Sequence, residues 1–259
     1  MTVNEQSSIH KRNGFKFGWI LPLFLRPGKT TREIVEQEKA VWLTPLLVLS
    51  VLVIIMALIA APIRREAIQM GTNLPADFQY YSPEQQQQFY TAQATQTSPL
   101  FLYIFPILSG LLKIWISWFL LGSLLHLSLT LAGSRARNIK SFNLAAWSFL
   151  PIAIRYLVQI LAILFTRKMV NNPGLSGFVG ADATGILAYA GGLIGLIDIY
   201  FIFQIILLFI GVIPLSGLTK AKAWTATTIT LVILVLLLAL PHFLSTLLGG
   251  LSLTRPFFF

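Results

Sequence analysis

Five apolar blocks, each about 20 residues long or longer, limit what this chain can fold into more than any other feature. A segment of that length in hydrocarbon must satisfy its backbone N–H and C=O groups internally, so each block reads as a membrane-spanning helix. The spans fall at about 42–61, 100–131, 142–165, 187–213 and 224–245. Composition agrees with this. Of the 259 residues, 56% are hydrophobic and 11% are charged, less than half the usual charged share. A water-soluble domain could not cover itself with so few charges. The expected fold class is all-α: a polytopic membrane protein with a bundle of five transmembrane helices.

The stretches between the spans carry turn and cap signals. Residues 1–13 are polar, lack an apolar region before a cleavage site, and are expected to be disordered. Phe15 to Leu25 is too short for a span and is interrupted by Gly18 and Pro22. Its aromatics beside Lys16 and Arg26 suit either the membrane interface or a loop packed on the bundle. Thr30 with Glu33 forms a capping-box pattern that predicts an amphipathic lead-in helix through Lys39, with Ile34 and Val35 on one side. This helix is expected on the cytoplasmic surface, either simply solvated or as a docking site. Ser82-Pro83-Glu84 predicts the start of a short external helix, reaching about Thr97, whose Gln85–Gln88 run is a solvated face. Pro106 can kink the long second span, His126 near its end reads as an interfacial group, and Gly133 stops it. Asn171-Asn-Pro-Gly174 is a turn signal before a Gly-rich loop holding Asp182. Pro241 and Gly249-Gly250 end the fifth span, and Phe257–Phe259 return to the interface. The chain thus divides into 1–13, an interfacial and amphipathic segment 14–41, a membrane domain 42–248 and a tail 249–259.

The formal net charge of +10 would suggest nucleic acid in a soluble protein. Here the basic residues flank the spans, so the expected partner is the lipid bilayer and no nucleic acid is expected. Lys and Arg number twelve in the N-terminal segment and the second and fourth connections, against five in the first, third and C-terminal ones. The positive-inside rule then places the N-terminus in the cytoplasm and the C-terminus outside. The chain has no cysteine, which excludes disulfides and thiolate metal sites.

The two remaining basic residues, Lys113 and Arg155, lie inside spans, as does Asp198. At about 1.5 Å per residue, Arg155 and Asp198 sit at depths that agree within one helical turn. An unpaired charge at that depth costs several kcal/mol, so an Arg155–Asp198 pair is expected, with Lys113 nearby or facing a wet cavity. Ser148, Pro151, Arg155, Gln159 and Ala162 share one helix face that should turn inward. The candidate polar core is Lys113, Arg155, Gln159, Asp198, Tyr200 and Gln204. It reads either as a clamp that fixes helix packing or as a site for protons, ions or an anionic head group. Ala188, Gly191, Gly192 and Gly195 fall at spacings of three and four ahead of Asp198 and form a candidate helix-packing face, within the bundle or between two copies. No zinc motif, paired membrane carboxylates, nucleophile elbow or cofactor fingerprint is present, so an enzyme is not indicated. Inverted repeats are also absent.

Several features share one order along the chain: Leu25-Arg-Pro-Gly-Lys-Thr30, Trp42 opening the first span, Ser82-Pro-Glu84, Trp147-Ser-Phe-Leu-Pro151, Asp198-Ile-Tyr200 and Lys220-Ala-Lys222. In this order and in its five-span layout, the sequence resembles the Yip family (Ypt/Rab-GTPase-interacting proteins), in its bacterial branch, over roughly residues 24–245. The resemblance implies five helices, a cytoplasmic N-terminus and no catalytic residues. Eukaryotic relatives sit in Golgi and endoplasmic-reticulum membranes, bind Rab-type GTPases in vesicle traffic and carry an Asp-Leu-Tyr-Gly-Pro motif. This chain lacks that motif, so GTPase binding does not carry over. Some bacterial relatives accompany ABC-type exporters, which implies a non-enzymatic accessory or scaffold protein of the inner membrane. The alternative from the residues themselves is a small transporter or ion-conducting protein that uses the Arg/Asp/Lys cluster.

Overall fold

The computed structural model describes residues 15–71, 78–169 and 186–248, and among them there are helices and no strands. The expected polar terminus 1–13, the Asn171–Gly174 turn with Asp182, and the tail 249–259 lie outside the described residues. Ten α-helices follow in order: α1 (Ile20–Leu25), α2 (Pro27–Glu36), α3 (Leu43–Gly71), α4 (Pro83–Gln96), α5 (Phe105–Leu131), α6 (Asn138–Ser148), α7 (Leu150–Thr166), α8 (Ile186–Gly195), α9 (Ile199–Ser216) and α10 (Lys220–Leu248). Five stretches are long and apolar enough to cross a membrane: Leu43–Gln69, Leu100–Leu131, Asn138–Thr166, Ile199–Ser216 and Lys220–Pro241.

The boundaries differ from the sequence reading for identifiable reasons. The lead-in helix starts at Pro27, not at a Thr30 cap. Proline at the first helical position needs no N–H partner and has its φ preset, so it starts the helix a turn early. Thr30 and Thr31 are then buried inside α2, and the Thr31 hydroxyl donates to the Pro27 carbonyl at 2.7 Å. α3 continues through Pro62 to Gly71, although the proline removes one backbone donor. Packing of Ala60 and Ile63 against Ile163 holds it through that gap. α10 likewise passes through Pro241 to Leu248. A π-helical turn, Leu100–Ile104, precedes Pro106 at the head of α5. The third span starts at Asn138 and breaks at Phe149, since Pro151 has no N–H for the Trp147 carbonyl four residues back and its ring crowds that turn. The fourth stretch is broken as well, at Leu196–Asp198. Two cap signals hold as read. Ser82 accepts from the Gln85 N–H and Gln85 reaches back to the Ser82 N–H, closing a capping box. Gly133 (φ 101°) ends α5 in a Schellman turn, with Ser134 N–H donating to the Leu129 carbonyl.

The described residues group into two compact units. The first comprises the chain up to Leu47, Trp118–Leu150 and Gln204–Val232. In it α1 packs on α2 and α2 on α6, whose Asn143 to Ser148 are all buried. Close helix approach here depends on two glycines. A Cβ at Gly122 would meet the Phe142 ring at 2.7 Å, and one at Gly211 would run into the fully buried Leu144 side chain. Gly211→Leu should therefore destabilise by about 1–3 kcal/mol through overpacking, read as a lower midpoint of reversible unfolding in mixed micelles. The second unit comprises Val48–Ser117, Pro151–Phe203 and the chain from Ile233. In it α7 turns Pro151, Arg155 and Gln159 inward and leaves Ile154, Leu157, Val158, Leu161 and Leu164 exposed. That division of faces is expected where lipid covers the apolar side.

Candidate functional site

The charged site forms where the fourth apolar stretch stops being a helix. Gly191, Gly192 and Gly195 make α8 a weak helix, at roughly 1 kcal/mol of lost propensity each relative to alanine. The last turn tightens, with Leu196 and Ile197 N–H donating three residues back to Leu193 and Ile194. Asp198 then starts α9 as its N-cap: Oδ1 accepts from the Phe201 N–H at 2.7 Å, and its carbonyl accepts from Ile202 N–H at 3.0 Å. Asp198 was expected near the middle of one long crossing helix. It stands instead at the head of an 18-residue helix of about 27 Å, close to the thickness of a hydrocarbon core.

The other carboxylate oxygen faces α7. Arg155 Nη1 lies 3.1 Å from Asp198 Oδ2, and the two side chains are 25% and 10% exposed within the protein. One carboxylate thus caps a helix and neutralises a guanidinium, so a single side chain satisfies two polar groups. Such a pair is costly to break, because removing one partner leaves the other charge buried and alone.

The remaining candidates are distributed around this pair. Lys113 on α5 lies close enough to Arg155 for the two cations to repel, yet its side chain is exposed and makes no ion pair among the described residues. Gln159 is half-buried one turn beyond Arg155, and Tyr200 is half-buried beside the Asp198 cap. Gln204 is buried in the other unit. Gly191, Gly192 and Gly195 are half-buried on α8, and the side chain of Ala188 lies outside the described residues. The Tyr189 hydroxyl donates to the Leu236 carbonyl at 3.0 Å and ties α8 to α10.

A second polar constellation was not singled out from the sequence. Asn143 on α6 is fully buried and clamps the segment between α2 and α3. Its Oδ1 accepts from Val41 N–H at 2.9 Å, and its Nδ2 donates to the Lys39 carbonyl at 2.9 Å. Trp147 Nε1 donates to the Val41 carbonyl at 3.1 Å, and the Trp19 ring packs on the Trp147 ring at 5.5 Å. Outside this clamp, Glu38 pairs with Arg137 at 2.8 Å and Lys140 at 3.0 Å. One usable signal was a lone asparagine in the apolar run Phe142-Asn-Leu-Ala-Ala-Trp147.

Lys140, and after it Arg137, holds the Glu38 carboxyl below the usual carboxylate range. The folded state then favours the ionised form. Its contribution is present above the unfolded pKa and is lost as pH falls through the lower folded value. Thermal midpoints of the wild type and Glu38→Gln should therefore differ slightly at neutral pH and converge in acid, the gap shrinking with salt because the groups are exposed.

No curated protein and no solved structure matches the chain. A family model described as Yip1 domain matches residues 22–240, which includes Asp198, Arg155 and the Asn143 clamp. The chain is a multi-span helical membrane protein and belongs to the Yip1 domain family.

Proposed function

We propose that the protein is a non-enzymatic accessory or scaffold subunit of the bacterial cytoplasmic membrane, with its N-terminus in the cytoplasm and its C-terminus outside. The observation that carries this reading is the saturation of Asp198: one oxygen caps α9 and the other pairs with Arg155. A carboxylate used in this way fixes helices rather than exchanging ions. The sidedness rests on the Lys and Arg asymmetry of the connections. Partners in this reading are subunits of an ABC-type exporter, as the resemblance implies for bacterial relatives, or a second copy meeting the face of Ala188, Gly191, Gly192 and Gly195. Extraction in mild detergent followed by mass spectrometry tests it. Recurrent recovery of exporter subunits supports the reading, and recovery alone, as a defined monomer or homo-oligomer, moves weight to the charged core.

A second reading, a small transporter, is favoured by one specific observation. The fourth stretch is broken at Asp198, and discontinuous spanning helices commonly build ion and substrate sites. Lys113, without an ion partner among the described residues, would be the mobile charge. In proteoliposomes this predicts a proton or ion flux that disappears in Asp198→Asn.

A further inference from the structure

The last turns of α5 and the first turns of α10 frame a groove of about 490 Å³, apart from the Arg155–Asp198 pair and the Asn143 clamp. Ser128 and Leu131 form one wall, and Ala221, Lys222, Thr225 and Ile229 the other. We infer that this groove binds an anionic phospholipid, with the phosphate at Lys222 and an acyl chain along Leu131 and Ile229.

Depth is the first argument. Leu131 is the last residue of one spanning stretch and Lys220 the first of another, so the groove opens at the level of the helix ends, where bilayer head groups lie. Charge is the second. Lys220 is engaged over the Trp224 ring at 4.3 Å, whereas Lys222 makes no ion pair or hydrogen bond with a described residue, and no acidic side chain lines the groove. Hydrogen bonding is the third. Thr227, Thr228 and Thr230 each donate to a carbonyl four residues back on α10. The hydroxyls of Thr225 and Ser128, which face the groove, donate to no described residue. An ammonium and two free hydroxyls suit a phosphodiester, which only accepts hydrogen bonds. The remaining wall is apolar and suits an acyl chain. A free anion would leave that wall unused, and a bilayer lipid supplies both parts at this depth. The space exists because small side chains such as Ala132 and Ala221 line it.

The test uses the full chain in mild detergent, titrated with phosphatidylglycerol or with phosphatidylcholine of the same acyl chains, and read by native mass spectrometry. Phosphatidylglycerol should be retained over phosphatidylcholine. Lys222→Gln should weaken that retention about fivefold, the worth of one lysine at a lipid surface. Ala221→Phe keeps the charge but fills the groove, and should also abolish the preference. Both positions are exposed, so a folding defect in one variant leaves the other informative. Equal retention of the two lipids overturns the assignment, as does wild-type retention in either folded variant. Displacement of phosphatidylglycerol by inorganic phosphate at matched concentration would make the site one for a free anion and overturn it too.

Discussion

Asp198→Ala should destabilise the protein by about 3–5 kcal/mol, because it strands Arg155 without its counter-charge. It also removes the cap of α9, which alone is worth about 1 kcal/mol. Asp198→Asn separates the two effects. The amide oxygen can still accept from Phe201 N–H, so this variant should retain about 1 kcal/mol that alanine loses. Combining Asp198→Asn with Arg155→Met removes both charges and keeps the cap, and should recover most of the loss. Reversible unfolding in mixed micelles across this set reads the coupling directly. A double variant no more stable than the worse single one would show that the pair contributes nothing to the fold. The same variants in flux measurements separate the two functional readings, since a scaffold loses stability without losing a current.

Asn143→Ala should cost about 2–4 kcal/mol, as it orphans a buried N–H at Val41 and removes the donor to Lys39. Trp147→Ala should cost about 3–5 kcal/mol, combining a large buried ring with the bond to the Val41 carbonyl. Trp147→Phe keeps most of the packing and loses only the hydrogen bond, so it should fall nearer 1 kcal/mol. The two side chains hold one short segment, so the losses of Asn143→Ala and Trp147→Ala should combine to less than their sum. Limited proteolysis of these variants should show new cleavage between Gln37 and Trp42, where Asn143 and Trp147 of α6 hold the backbone of Lys39 and Val41.

These expectations show what could be read from the residues alone. Long apolar runs reveal spans because hydrocarbon leaves the backbone no other option, and helix rise was enough to match Arg155 with Asp198. The break at Asp198 was not readable in the same way. An uninterrupted apolar run has no periodicity to mark an end, and Asp198 was weighed as a charge in hydrocarbon although aspartate is also a preferred helix starter. The glycines before it were weighed as a packing surface, while they also weaken the helix that contains them. Pro62 shows the reverse, since packing of Ala60 and Ile63 against Ile163 carries α3 past a residue that local rules make a terminator, and α10 also continues past Pro241. The Asn143 clamp joins groups more than 100 residues apart in sequence, so a lone asparagine in an apolar run can mark a buried polar group but not name its partner.

The Arg155–Asp198 pair also has a consequence for how the chain is made. Arg155 precedes Asp198 by 43 residues, so during synthesis at roughly 5–20 residues per second the guanidinium reaches the bilayer seconds before its carboxylate does. For that interval the third span carries an uncompensated cation and is poorly suited to leave the insertion machinery. It becomes compatible with lipid only once the fourth stretch arrives. The two segments are therefore best inserted together, and the ion pair that stabilises the finished bundle also sets the order of its assembly.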